Sequence, residues 1–248
     1  MDRLKPGDYE MLVMDEKEKM SDSVTGSRVL IFYYSFSSQT RGIVSQLSAG
    51  IEVGGDHIVC EKIEPLLPLR FPIGTIPSTL RMMITTLFRR PSVPIKPLSD
   101  VCFDSYDLIV LAGPTWSYNP SGPVLSLIQR DGPVLFSGRK VIPLISCRGY
   151  WWLHLYGLRR LLKVCGATVP NCIVFSHPSS EPWRTVGVFL KLAGKMPEKS
   201  CIGRYYPKYG HSRQQQREAF RFGGLISDAL KRDSPLSGLN FRTPIALP

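Results

Sequence analysis

The stretch Arg28-Val29-Leu30-Ile31-Phe32-Tyr33-Tyr34-Ser35-Phe36-Ser37-Ser38-Gln39-Thr40 decides the fold. Its first half is an unbroken apolar run rich in β-branched and aromatic residues, as expected for a strand buried on both faces of a parallel sheet. Its second half is a short polar loop. From Thr40 the period changes: Ile43, Val44, Leu47 and Ile51 fall on one helical face. A strand, a hydroxyl-rich turn and a helix in that order form the first half of a βαβ unit.

The same alternation continues outward. His57–Ile63, Tyr106–Gly113, Lys140–Ser146 and Val169–Phe175 read as further strands. Helices are expected over Ser78–Phe88, Val124–Gln129, Leu153–Cys165, with Gly166 as its stop, and Arg213–Lys231. The expected fold class is α/β: a doubly wound, five-stranded parallel sheet of order 2-1-3-4-5 carrying two insertions. The insertions span about 64–105, rich in proline, and 176–212, rich in aromatic and basic residues. Connections of that length tend to be functional. Residues 1–26 read as a mobile N-terminal extension, 27–232 as the folded domain and 233–248 as a loose tail.

The chain has 248 residues with 31 Lys+Arg, 20 Asp+Glu and a formal net charge of +11. Seven acids against four bases fall in residues 1–26, which leaves +14 on residues 27–248. Such a body attracts phosphates and other anions. No apolar run reaches membrane-span length and no secretory signal opens the chain, so a cytoplasmic protein is expected. The six cysteines include no Cys-x-x-Cys pair, and the four histidines lack ligand spacing, so no metal site is expected. Cys60 and Cys172 lie in strand-like runs and read as small core residues.

Ligands of doubly wound sheets bind beyond the carboxyl ends of the strands, which here are three loops. In the first, Ser35, Ser37, Ser38, Gln39 and Thr40 surround a helix N-terminus, either as a phosphate site or as a Ser-rich turn. It lacks the Gly-Lys-[Ser/Thr] of a triphosphate loop and the Gly-x-Gly-x-x-Gly of a dinucleotide site. The second, Gly113 to Pro123, carries Pro114, Thr115, Trp116, Ser117 and Tyr118. The third carries Cys147, Arg148, Gly149, Tyr150, Trp151 and Trp152. Aromatic side chains there can wall a flat heteroaromatic ring or merely pack on the insertions.

The succession of strand, Ser-x-Ser-Ser-x-Thr, helix, then Gly113-Pro114-Thr115-Trp116 after a third strand, resembles the flavodoxin-like FMN proteins over about residues 28–175 and the final helix. Ser38 stands where that family commonly has glycine. Tyr33-Tyr34-Ser35, Cys147-Arg148-Gly149-Tyr150-Trp151, Pro207-Lys208-Tyr209-Gly210-His211-Ser212 and Ala219-Phe220-Arg221-Phe222-Gly223 are similar to the flavodoxin-like proteins labelled dialkylresorcinol-condensing enzymes. The resemblance implies FMN as cofactor, with its phosphate at Ser35–Thr40 and its ring between the second and third loops. It further implies an oxidoreductase acting on a hydrophobic dione, quinone-like or alkylresorcinol-type substrate. Arg148 would stabilise an anion, and Tyr118 or Tyr150 would donate a proton. The alternatives are an electron carrier, which the basic charge disfavours, and a flavin-free binding module on the same fold. A hydrophobic small molecule is the expected partner and no nucleic acid is expected. Peripheral membrane contact through a rim of Arg70, Arg81, Arg89 and Arg90, with Lys191 and Lys195 opposite, and a homo-oligomer, stay open.

Overall fold

The structure, a computed structural model, describes residues 26–89 and 91–247. The expected extension at 1–26 therefore lies, but for Gly26, outside the described residues, as does Arg90. Five parallel strands form the sheet: β1 (Arg28–Tyr33), β2 (His57–Lys62), β3 (Leu108–Trp116), β5 (Val141–Cys147) and β6 (Ile173–Ser176). Their order is β2-β1-β3-β5-β6, the expected doubly wound order. The sixth strand, β4 (Asn119–Pro120), returns antiparallel on the end of β3. Six α-helices occur among the described residues: α1 (Gln39–Val53), α2 (Ile76–Phe88), α3 (Gly122–Phe136), α4 (Trp151–Val164), α5 (Trp183–Leu192) and α6 (Arg213–Lys231).

Alternation along the strands divides the core. Val29 and Ile31 of β1, with Val110 and Ala112 of β3, meet the apolar faces of α1 and α6. Leu30, Phe32, Ile109 and Leu111 point the other way, toward α3 and α4. Burial of both faces explains why these strands read as continuous apolar runs. β2 is an edge strand and only partly covered. Cys60 on it is exposed and Cys172 only half-buried, so the expectation that both fill the core fails because neither lies on a doubly covered strand.

Helix ends follow local chemistry. Ser212 caps α6: its Oγ accepts from the Gln215 N–H (3.1 Å), and Gln215 Oε1 accepts from the Ser212 N–H (3.0 Å). Thr75 caps α2 through its Oγ1 and the Ser78 N–H. Gly166 sits at φ +80° just past α4, which is the stop expected of it. α3 runs on to Phe136, well past Gln129, and contains Pro133. The expected last strand shortens to Ile173–Ser176: Pro170 lacks an N–H, and Asn171 Nδ2 donates to the Leu236 and Leu239 carbonyls instead.

The C-terminal segment is packed rather than loose. Leu236, Phe241 and Ala246 are buried against the α6 side of the sheet. The Phe241 ring lies 5.0 Å from that of Phe222, and the Ser176 N–H donates to the Ala246 carbonyl (3.0 Å). These three apolar side chains cover surface that α6 alone leaves open, which makes an ordered tail favourable.

Candidate functional site

A cavity opens at the carboxyl ends of β1, β3 and β5, where the strand order reverses. One end of it is the first turn of α1. Ser37, Gln39 and Thr40 line it there. The N-cap residue Ser38 has φ +63° and makes no side-chain cap bond, so its hydroxyl does not compete with a ligand for the first N–H groups of the helix. At that positive φ the serine occupies a conformation that glycine adopts without strain. Ser35 Oγ instead accepts from the Arg41 N–H (3.2 Å), and both Ser35 and Ser38 lie outside the lining.

The side walls come from β3 and β5. Pro114, Thr115, Trp116, Ser117 and Tyr118 all line the cavity. Ser117 (φ +42°) and Tyr118 (φ +71°) form the two-residue turn between β3 and β4, the geometry of a type I′ hairpin. Opposite stand Ser146, Cys147, Arg148 and Gly149. Tyr150, at φ +53°, caps α4 and is half exposed; its ring meets Tyr118 edge-on at 5.9 Å but stays outside the lining. Trp151 is turned away altogether. It packs with Ile145 and Leu155 beneath the Arg242 guanidinium, because the first turn of α4 points it back onto the sheet. Its expected place beside a ligand is thus corrected. Of the five non-glycine residues with positive φ among the described residues, Ser117 and Tyr118 line this cavity, and Ser38 and Tyr150 are chain neighbours of lining residues; backbone strain of that kind concentrates where function needs it.

The two insertions close the top. Phe36 packs edge-on against Phe71 (5.3 Å) and Trp116 (5.8 Å), and Phe71 stacks on Tyr209 (5.9 Å). Met82, Met83 and Thr86 of α2 face Val188, Phe189 and Leu192 of α5 across the lining. Ser117 Oγ lies 2.7 Å from Thr86 Oγ1 and donates to the Met83 carbonyl (2.9 Å), tying α2 to the hairpin. The Ile73 N–H donates to the Leu192 carbonyl (2.8 Å), tying the insertions together.

Several lining groups have no counterpart in the sequence expectations. The Tyr209 hydroxyl donates to Ser37 Oγ (2.9 Å), and the His211 N–H donates to Gln39 Oε1 (3.1 Å). His211 Nε2 lies 2.8 Å from Ser146 Oγ, and its Nδ1 lies 3.3 Å from Gln215 Oε1. With Gln215 Oε1 accepting at Nδ1–H, Nε2 accepts from the Ser146 hydroxyl. His177 stacks on Tyr206 at 4.8 Å. Burial pushes His211 down to about 4, against a weaker opposing effect of Gln215, and burial likewise pushes His177 down to about 4. Burial raises the Cys147 thiol to about 12, so it is no nucleophile at neutral pH. Among the described lining residues no carboxylate occurs, and Arg148 is the one charged side chain at pH 7. The donor set therefore suits an anion at the α1 end and a flat, largely apolar body beyond it.

No family model matches the chain, and no curated protein matches it in sequence. Solved structures do. A flavoprotein in complex with FMN from Lactobacillus acidophilus has a TM-score of 0.47 at 16% identity, covering 59% of this chain and 92% of its own. A flavodoxin from the domain Archaea has a TM-score of 0.45 at 12% identity over 82% of this chain and 99% of its own. The flavodiiron protein from Giardia intestinalis has a TM-score of 0.45 at 13% identity over 90% of this chain and 42% of its own. The strand order by itself makes the fold an α/β doubly wound parallel sheet of flavodoxin-like topology.

Proposed function

We propose that this chain is an FMN-dependent oxidoreductase for a hydrophobic dione, quinone-like or alkylresorcinol-type substrate. The observation that carries the reading is one continuous cavity at the switch point, with a hydroxyl-lined helix N-terminus at one end and an aromatic, carboxylate-free wall at the other. Ser37, Thr40 and the first-turn N–H groups of α1 would hold the phosphate, with the helix dipole adding roughly 0.5–2 kcal/mol. Thr115–Tyr118 and Arg148-Gly149 would border the ring. Bound FMN would supply the hydride chemistry.

The chain's own residues supply the rest. Arg148 places positive charge where a substrate oxygen gains electron density. Tyr118 lines the cavity and its phenol can pass it a proton, whereas Tyr150 does not line it. Neutral His211, bonded to Ser146, offers a proton relay without a second buried charge. Met82, Met83, Val188, Phe189 and Leu192 exclude water and match an apolar substrate. Replacing Ser37 and Thr40 together by Ala should weaken FMN binding at least about tenfold, roughly 1.4 kcal/mol. Equal affinities for wild type and double variant in a fluorescence titration reject the phosphate assignment.

A further inference from the structure

The polarity of α2 is inverted. It buries Thr79 and Thr86 and turns Ile76, Leu80, Ile84, Leu87 and Phe88 to solvent, with Phe88 77% exposed. An amphipathic helix on a water-facing surface does the opposite. Nor is the arrangement forced by poor packing, since the inward side is held: Thr86 bonds Ser117, and Met82 and Met83 line the cavity. Leu66 and Leu67 of the same insertion are also exposed, at 54% and 79%. Single exposed apolar residues need no explanation, but five on one arc of a three-turn helix mark a surface that something apolar covers.

Charge identifies the cover. Residues 65–99 contain no acid, and Arg81 and Arg89 on and beside α2 are exposed, as is Arg70. A twofold contact of this face with a second copy would bring arginines toward arginines, with no carboxylate in the segment to oppose them. A surface that is apolar inside and anionic outside accepts both kinds of residue. We propose that α2 docks the protein on an anionic lipid bilayer, lying in the interface with Leu80, Ile84, Leu87 and Phe88 at the acyl boundary and Arg81 and Arg89 among the phosphates. No helix among the described residues is long and apolar enough to cross a membrane. Because the inner side of α2 lines the cavity, docking puts the site against the bilayer, and a lipophilic molecule reaches it without crossing bulk water. The docking rests on α2 alone and stands whatever the cavity binds.

Co-sedimentation with vesicles tests it, using full-length protein and phosphatidylcholine with or without about one-third phosphatidylserine. Wild type should bind the anionic vesicles at least about tenfold more tightly than the neutral ones, with the difference shrinking at high salt. Leu80→Ser/Ile84→Ser should lose binding to anionic vesicles at least about tenfold, and Arg81→Glu/Arg89→Glu should do the same. All four positions are exposed, so thermal melts of the variants should match wild type. Folded wild type that sediments with neither vesicle overturns the proposal. So does equal binding to both, or a solution dimer that Leu80→Ser/Ile84→Ser converts to monomer, which would show that a second copy covers the face.

Discussion

Lowering the pH from 7.5 to 5 should destabilise the fold by several kcal/mol, through its buried histidines. His154, His177 and His211 are buried, and burial pushes the first down to about 3 and the other two to about 4. His154 keeps its place through Nδ1, 2.7 Å from Thr115 Oγ1. Well above pH 6.5 these groups are neutral whether the chain is folded or not. Below it the unfolded chain takes up protons that the folded chain refuses, so stability falls with pH until the folded values are reached. At pH 5 each shift amounts to about 2 kcal/mol, against a total stability of roughly 5–15 kcal/mol for an ordinary domain. Thermal or urea melts at half-unit steps should show a steep loss between pH 6.5 and 5, and His211→Gln should flatten it. A midpoint constant across that window would mean the histidines are not held neutral.

Gly50→Ala or Gly223→Ala should each destabilise by about 3 kcal/mol, toward the upper end of overpacking costs. The two glycines face each other where α1 crosses α6. A Cβ on Gly50 would overlap the Phe220 carbonyl, and one on Gly223 would overlap that of Leu47. The obstacle on each side is backbone, so no side chain can swing aside. Denaturant melts decide the matter: a loss below about 0.5 kcal/mol for either variant, as at an unconstrained surface site, would show that the helices separate easily. The crossing bears on the site because α1 carries the Ser37–Thr40 turn at its start.

The parts of this architecture that were legible in the sequence are those with a local signal. The run Val29–Tyr34 shows a strand buried on both faces, and the Ser35–Thr40 turn shows a helix start. Pro114 to Tyr118 and Cys147 to Gly149 could be placed at strand ends without knowing what lay opposite. The remainder arises from distant contacts. Tyr209 and His211 reach Ser37 and Gln39 across 172 residues, and nothing near either partner announces the other. One clue existed: Gly210 and His211 immediately precede the Ser212-x-x-Gln215 capping box, which fixes them at a helix entrance. Trp151 misled because an aromatic triplet looks the same whether it faces a cavity or the sheet; the left-handed Tyr150 sets the direction. The tail misled because Leu236, Phe241 and Ala246 are too widely spaced to show a period.

The most direct test of the account is a titration of the purified protein with FMN and, separately, with riboflavin, followed by flavin fluorescence and visible absorbance. FMN should bind one per chain with quenched fluorescence, and at least about tenfold more tightly than riboflavin, because the phosphate meets the α1 N-terminus. Absence of any spectral change with FMN, or equal affinity for the two, would contradict it.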